Sequence, residues 1–260
     1  MLAERTFTFL GTGTSTGVPM IGCECRTCTS SDLRNHRYRC AVVISTPRGH
    51  ILIDTPPELR LQLLRAKIPV AQAVLLTHYH ADHLHGLDDI RVFPMKLGGP
   101  VPLYCNEETE GKVRTTFDYA CLDPSQPQSM YVPQLEFRRI RPGEPFSVLG
   151  EIIMPIRLEH ATFQVLGFRM GNVAYCTDVS RIPEESWQLL EGLEVLVLDA
   201  LRYRPHPAHF SINEALEVIA GLKPRRAFLT HLSHDVDHAD VQGQLPENVS
   251  LAYDGLCFGF

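Results

Sequence analysis

The sequence predicts an α/β fold in which β-sheets are covered by helices. Three observations predict it. Short apolar, β-branched runs recur along the chain, and helical patterns lie between some of them. Several of the runs also lack the polar alternation of a half-exposed strand, so both of their faces must be buried.

Taken in order, the predicted strands cover residues 6–10, 41–45, 51–53, 73–76, 152–158, 173–175, 195–198, 227–229 and 250–253. A first helix is predicted over 58–66, after Pro56-Pro57, because proline suits a first turn where its missing N–H costs nothing. Two more are predicted over 107–119 and 183–190. Ser211-Ile212-Asn213-Glu214 has the capping-box spacing and opens a helix running to about Leu222, ahead of Pro224. The most loop-like stretch runs from 122 to 134 and contains Asp123-Pro124-Ser125-Gln126-Pro127; it reads as a lid, an interface loop or a plain surface excursion. Metal-competent residues recur just past strand ends: His78, His160, Asp178, Asp199 and His231. Ligands built on element ends are geometrically well fixed.

Composition narrows the partners. The net charge is −6, without a basic block, whereas a protein that grips a nucleic-acid backbone carries a positive stripe. A small anionic substrate is expected instead, with no nucleic acid. No apolar run approaches a membrane span and Met1-Leu2-Ala3-Glu4-Arg5 lacks a signal-peptide core, so the expectation is a cytoplasmic protein that does not engage a membrane.

The run His78-Tyr79-His80-Ala81-Asp82-His83 carries the chemistry. Three imidazoles and a carboxylate within six residues suit zinc, manganese or iron, and a tight loop can turn His78 and His80 toward one ion and Asp82 and His83 toward a neighbour. The run supplies too few ligands for two ions, and His160, Asp178 and His231 are the expected remainder, with Asp178 able to bridge. His85 and Asp54 are read as residues that orient the loop, His85 alternatively as a helix start and Asp54 alternatively as a solvated strand-end aspartate. Cys23-x-Cys25-x-x-Cys28 has thiolate spacing for a closed structural zinc site. Its fourth ligand is expected to be His234, with His238 and Cys40 as rivals. Cys40, Cys105, Cys121, Cys176 and Cys257 otherwise read as small buried side chains.

Gly11-Thr12-Gly13 follows the first strand, but no Gly-Lys-Ser/Thr closes the glycine-rich segment, so it reads as a turn bringing backbone close to the metal site. The loop 202–211 holds His206 and His209. A histidine there can protonate a leaving group, and His209 is preferred because it lies next to the helix start.

With these residues the chain resembles the metallo-β-lactamase superfamily, whose signature is the His-x-His-x-Asp-His run. The Cys23/Cys25/Cys28 cluster and Thr230-His231-Leu232-Ser233-His234 look most like its phosphoribosyl 1,2-cyclic phosphate phosphodiesterase (PhnP) family. The resemblance implies one domain over 1–260, an αββα sandwich of two mixed sheets flanked by helices, with a small zinc-holding loop at about 20–40. It implies two catalytic divalent metals, zinc or manganese and in some cases iron, on His78, His80 and His160 and on Asp82, His83 and His231, with Asp178 between them. One structural zinc falls on Cys23, Cys25, Cys28 and His234. Asp82 and His209 are the implied catalytic residues, His209 as proton donor, and a homodimer fits the relatives. The expected activity is hydrolysis of a small, cyclic phosphodiester by water activated between paired metals. A ribonuclease Z-like nuclease and a non-catalytic accessory protein on the same fold are the alternatives.

Overall fold

The computed structural model describes residues 5–121 and 132–260. The loop-like segment around Pro124 and Pro127 lies outside the described residues. Among the described residues, fourteen strands form two mixed sheets of seven strands each. The first sheet contains β1 (Thr6–Gly11), β2 (Ala41–Thr46), β3 (Gly49–Ile53), β4 (Ala73–Leu75), β5 (Val101–Cys105) and β6 (Leu135–Arg139). The second contains β7 (Phe146–Val148), β8 (Glu151–His160), β9 (Phe163–Met170), β10 (Val173–Cys176), β11 (Val195–Asp199), β12 (Arg226–Thr230) and β13 (Val249–Leu251). The last strand, β14 (Cys257–Gly259), returns to the first sheet, which has the order β14-β1-β2-β3-β4-β5-β6. The second runs β13-β12-β11-β10-β9-β8-β7. In each, an antiparallel part passes into a parallel part: β3 to β6 are parallel in one, β10 to β13 in the other.

The helices are α1 (Leu59–Ala66), α2 (Ala81–Leu84), α3 (Phe93–Leu97), α4 (Glu107–Thr116), α5 (Glu184–Trp187), α6 (Ile212–Leu222) and α7 (His238–Gln242). Phe7, Phe9, Val42, Ile53, Phe168, Tyr175, Val197 and Phe228 meet between the sheets and make the central core. Leu59, Leu63, Phe93 and Val113 cover the outer face of the first sheet, and Ile212, Ala215, Val218 and Ile219 cover that of the second. The molecule is therefore the expected αββα sandwich. Helix α6 follows directly from its sequence: Ser211 accepts from the Glu214 amide, the Glu214 carboxylate accepts from the Ser211 amide, and the apolar face returns at helical spacing.

The observed elements differ from the predicted ones in identifiable ways. Pro56 and Pro57 lie in the turn before α1, where Pro56 O accepts from the Leu59 amide, not in its first turn. Strands β5, β6, β7, β9 and β14 were not predicted, and the strand predicted over 250–253 is β13, placed slightly earlier. His160 and Asp199 are the last residues of β8 and β11 and do not lie beyond them. Cys257 is exposed on β14, against the expectation of burial, whereas Cys40, Cys105 and Cys176 are buried.

The glycine turn has a packing cause. A Cβ on Gly11 would stand 2.0 Å from Arg39 O, and one on Gly13 would stand 2.8 Å from Arg37 O. These glycines admit a close backbone seam: Gly13 bridges to both Arg39 and Leu232, and Thr12 O accepts from the Leu232 amide at 2.9 Å. Leu232 follows His231, so the turn does reach the loop that carries a site residue.

Candidate metal centre

Six strands of the two sheets deliver polar residues to one edge of the sandwich. Asp54 follows β3, His78 follows β4, His160 ends β8, Asp178 follows β10, Asp199 ends β11 and His231 follows β12. Ligand sites in α/β sheets lie outside the carboxyl ends of parallel strands, which describes β3, β4, β10, β11 and β12 here. Asp54, Asp178 and His231 take left-handed backbone conformations, with φ of 66°, 52° and 60°. Such residues cost about 1–3 kcal/mol each and persist where the surroundings over-determine them.

Asp178 lies at the centre. Its Oδ2 is 2.8 Å from His83 Nε2 and 3.5 Å from His78 Nε2, and its Oδ1 is 2.9 Å from His231 Nε2. Asp82 Oδ2 is 3.4 Å from His83 Nε2 and 3.8 Å from His231 Nε2. On the other side, His78, His80 and His160 gather with ring centroids 4.6, 5.2 and 5.8 Å apart. The structure thus brings together all seven residues expected around a pair of ions.

Neighbouring groups set which imidazole nitrogen faces inward. His83 Nδ1 donates to Asp54 Oδ2 at 2.8 Å, and His160 Nδ1 donates to Ala208 O at 2.7 Å. Thr77 Oγ1 donates to Asp54, so it accepts from His78 Nδ1 at 2.9 Å. In all three the Nε2 lone pair is left to the centre, the arrangement that outer partners impose on metal-binding histidines. Asp54 therefore orients the His run as expected. His85 does not: it caps the far end of α2, exposed, with its ring against Phe117.

Electrostatics agree with a cation-seeking site. Burial, with His83 nearby, drives His78 well below its ordinary value, so it stays a neutral donor. Burial would lift the Asp178 carboxyl, but His231 and His83 hold it well below the usual carboxylate range. Burial opposes charge on His83 and His231 too, yet Asp178 and its neighbours raise both well above an ordinary histidine. Buried carboxylates here demand positive charge. The Nε2 atoms of His78, His83 and His231 are buried and face Asp178 oxygens at 3.5, 2.8 and 2.9 Å without a well-formed hydrogen bond, and buried polar atoms left so are rare unless an ion or water completes them. The donor set of imidazole and carboxylate fits divalent zinc, manganese or iron.

Beside this cluster, His209 Nδ1 donates to Asp199 Oδ2 at 2.8 Å, and its ring stacks 4.5 Å from that of His231. His206 instead accepts from the Ala208 amide at 3.2 Å. Of the two histidines, His209 is thus the one held by a carboxylate. Asp199, read in the sequence as one of the metal-competent residues that follow strands, holds His209 in the structure.

A second cluster joins Cys23, Cys25, Cys28 and His234, whose donor atoms all lie within 4.8 Å of one another and could hold a metal ion. Cys23 Sγ and Cys25 Sγ are 3.3 and 3.4 Å from His234 Nδ1. The Cys28 amide, assisted by His234, lowers the Cys25 thiol to about 6 against some burial, so it is available as a thiolate. The rivals for the fourth place stand elsewhere: Cys40 touches Thr230 Oγ1, and His238 lies against Tyr253. Sequence reasoning missed Arg37, the largest fully buried side chain. Its guanidinium donates to Ser233 O at 3.0 Å, Val236 O at 2.8 Å and Asn35 Oδ1 at 3.0 Å, pinning the loop that carries both His231 and His234.

The Beta-lactamase superfamily domain matches residues 50–232, the stretch that holds the His run, Asp178 and His231. The chain belongs to this superfamily. Among solved structures it is similar to a diphosphatase of the PhnP family, at 41% identity and a TM-score of 0.93, covering 100% of this chain and 98% of that one. It is a PhnP-like member of the superfamily and a metal-dependent hydrolase. A curated relative from Porphyromonas gingivalis (strain ATCC BAA-308 / W83), named octanoyltransferase, is 36% identical over 250 residues. That match takes in 95% of this chain but 50% of the relative, so the chain spans about half the length of the curated protein it matches. The Zn-bound PqqB of Methylobacterium extorquens shares the superfamily fold, at 18% identity and a TM-score of 0.74 over 97% of this chain and 99% of that one. Among the described residues no helix is long and apolar enough to cross a membrane.

Proposed function

We propose that this chain hydrolyses a phosphorus–oxygen bond in a small phosphodiester, a cyclic phosphate in the first instance. The reading rests above all on one observation: Asp178 lies between the inward nitrogens of His78, His83 and His231 while His209, fixed by Asp199, stands alongside. His78, His80 and His160 would hold one divalent ion and Asp82, His83 and His231 a second, with Asp178 placed to serve either. Ions so held supply charge to the phosphoryl oxygens and lower the pKa of water, as in other two-metal hydrolases. Asp82 and Asp178 balance their charge within a buried site. His209 keeps its Nδ1 proton directed at Asp199, and in the imidazolium form a second proton, carried on Nε2, would pass to the departing oxygen and leave the neutral Nδ1–H ring. Cys23, Cys25, Cys28 and His234 would hold a structural zinc that fixes the loop carrying His231.

A second reading, cleavage of a diphosphate linkage, is supported by the 41% identical PhnP-family diphosphatase. It uses the same residues and differs in the leaving group. A nuclease is less well supported, because the charge is −6 and no basic stripe is present in the sequence.

The test is a metal-loaded assay on bis-p-nitrophenyl phosphate, a ribosyl 1,2-cyclic phosphate, a 2′,3′-cyclic nucleotide and a diphosphate diester. Turnover of a cyclic ester, lost together with metal content in Asp178→Ala, is the expected result. Turnover of the diphosphate alone would favour the second reading, and turnover of none would sink both.

A further inference from the structure

Phe163 is a large apolar side chain left uncovered beside the metal centre, 41% exposed. It opens β9 at the tip of the β8–β9 hairpin, and the register sets it directly opposite His160. Opposed residues of an antiparallel pair leave the sheet on the same face, so Phe163 projects on the side where His160 meets the site. Its ring meets His80 edge-on at 5.5 Å and 79°, and Tyr79 at 6.2 Å and 89°. Tyr79 and His80 are themselves 5.6 Å apart at 81°. Lys112 from α4 holds its ammonium 5.5 Å from the Tyr79 ring centroid. The rings form a corner of aromatic surface at the edge of the His run, with one cation at its margin. Bracing His80 would need only a buried aliphatic group; an exposed ring offers a π-face as well.

We propose that this corner is a stacking subsite for a nucleobase, so that the substrates of the site are nucleotides. The proposal rests on the phosphoryl-hydrolase reading above. The phosphoryl group occupies the His78–His231 cluster, and the base lies on the exposed face of Phe163 toward Tyr79. Every nucleobase has a π-face, so stacking of this kind tolerates any base, and the selectivity is for base-bearing over base-free phosphates.

The test compares ligands that differ only in the base. Calorimetric titration of the metal-loaded protein with adenosine 5′-monophosphate and with ribose 5-phosphate reads binding without turnover. Stacking predicts about tenfold tighter binding of the nucleotide. In Phe163→Leu, which keeps apolar packing on His80 but has no π-face, the ratio falls toward one; in Phe163→Trp it survives. Equal affinities in the wild type, or equal weakening of both ligands in Phe163→Leu, would overturn the subsite. KM values for adenosine 2′,3′-cyclic phosphate and methyl riboside 2,3-cyclic phosphate should show the same ratio. If neither ester is cleaved, the phosphodiesterase reading fails, while the calorimetric ratio still decides the subsite.

Discussion

At the scale of single residues, the site divides into groups that offer a lone pair and groups that decide where that lone pair points. His209 belongs to neither set, because Asp199 holds its Nδ1 and the proposed reading gives its Nε2 to proton transfer. Replacing His209 by Gln should lower kcat by about 10²–10⁴, the usual worth of a general acid, with metal content retained. The check is steady-state kinetics across pH beside metal analysis; an unchanged pH profile and kcat would remove His209 from the chemistry. The lone-pair donors were legible in the sequence because imidazole, carboxylate and thiolate announce themselves by type and spacing. Thr77 was not, and Asp199 was legible only as a metal-competent residue after a strand, since each holds a histidine through a hydrogen bond that only the folded chain supplies. His85, read in the sequence as a residue orienting the loop or starting a helix, instead closes the far end of α2.

At the scale of elements, the loop from His231 to His238 depends on a buried polar hub and less on regular structure. Arg37 donates to two of its carbonyls, and Asn35 accepts from the His238 amide at 2.9 Å while donating to Asp237. Burial lowers the Arg37 guanidinium to about 10, which leaves it charged at neutral pH. Arg37→Met would strand Ser233 O and Val236 O at about 1–3 kcal/mol each. Denaturant unfolding should show a loss of roughly 3 kcal/mol, and metal should leave the cysteine cluster first. Arg37→Lys should recover part of both. The elements that the sequence did not reveal have a common physical character. β6, β7 and β14 are edge strands, which bury less and tolerate charge, as Glu136, Arg138 and Arg139 on β6 illustrate. β5 and β9 are interior but carry Pro102 and Gly167, residues that read as breaks. Gly167 has its own reason, since a Cβ there would stand 2.9 Å from Leu158 Cδ1.

At the scale of the whole molecule, Asp254 ties the far end of the chain to the glycine turn. Its carboxylate accepts from Thr12 Oγ1 at 2.8 Å and the Tyr38 amide at 2.9 Å, and pairs with Arg65 at 3.3 Å. Burial outweighs these contacts and pushes the group up to about 6. A carboxyl whose folded value exceeds its unfolded value binds its proton more tightly when folded, so its contribution is full below about pH 4 and is lost as pH rises through about 6. From this residue the stability should fall by roughly 3 kcal/mol across that window. Chemical denaturation of the wild type and Asp254→Asn from pH 4 to 7 checks it: the difference between them should carry that slope, and a flat difference would refute it. The sandwich as a whole was legible because the two-faced apolar strands and the capped helix α6 leave few alternatives. The partition of strands between sheets was not, since β14 joins β1 across nearly the full chain length.

That same long-range wiring gives the metal centre a second meaning. Its candidate ligands run from His78 to His231, and the cysteine cluster, which could hold a second kind of ion, runs from Cys23 to His234. An ion held by such residues closes very long loops, as a cross-link does, and so removes chain entropy from the unfolded state. For closures of this length the effect in a chain-entropy description is about 5 kcal/mol each. Metal ions with the proposed roles in catalysis and loop anchoring would thereby also act as reversible staples between the two sheets. Chelation should then lower the melting temperature by far more than the loss of a few surface contacts would, and re-addition should restore it.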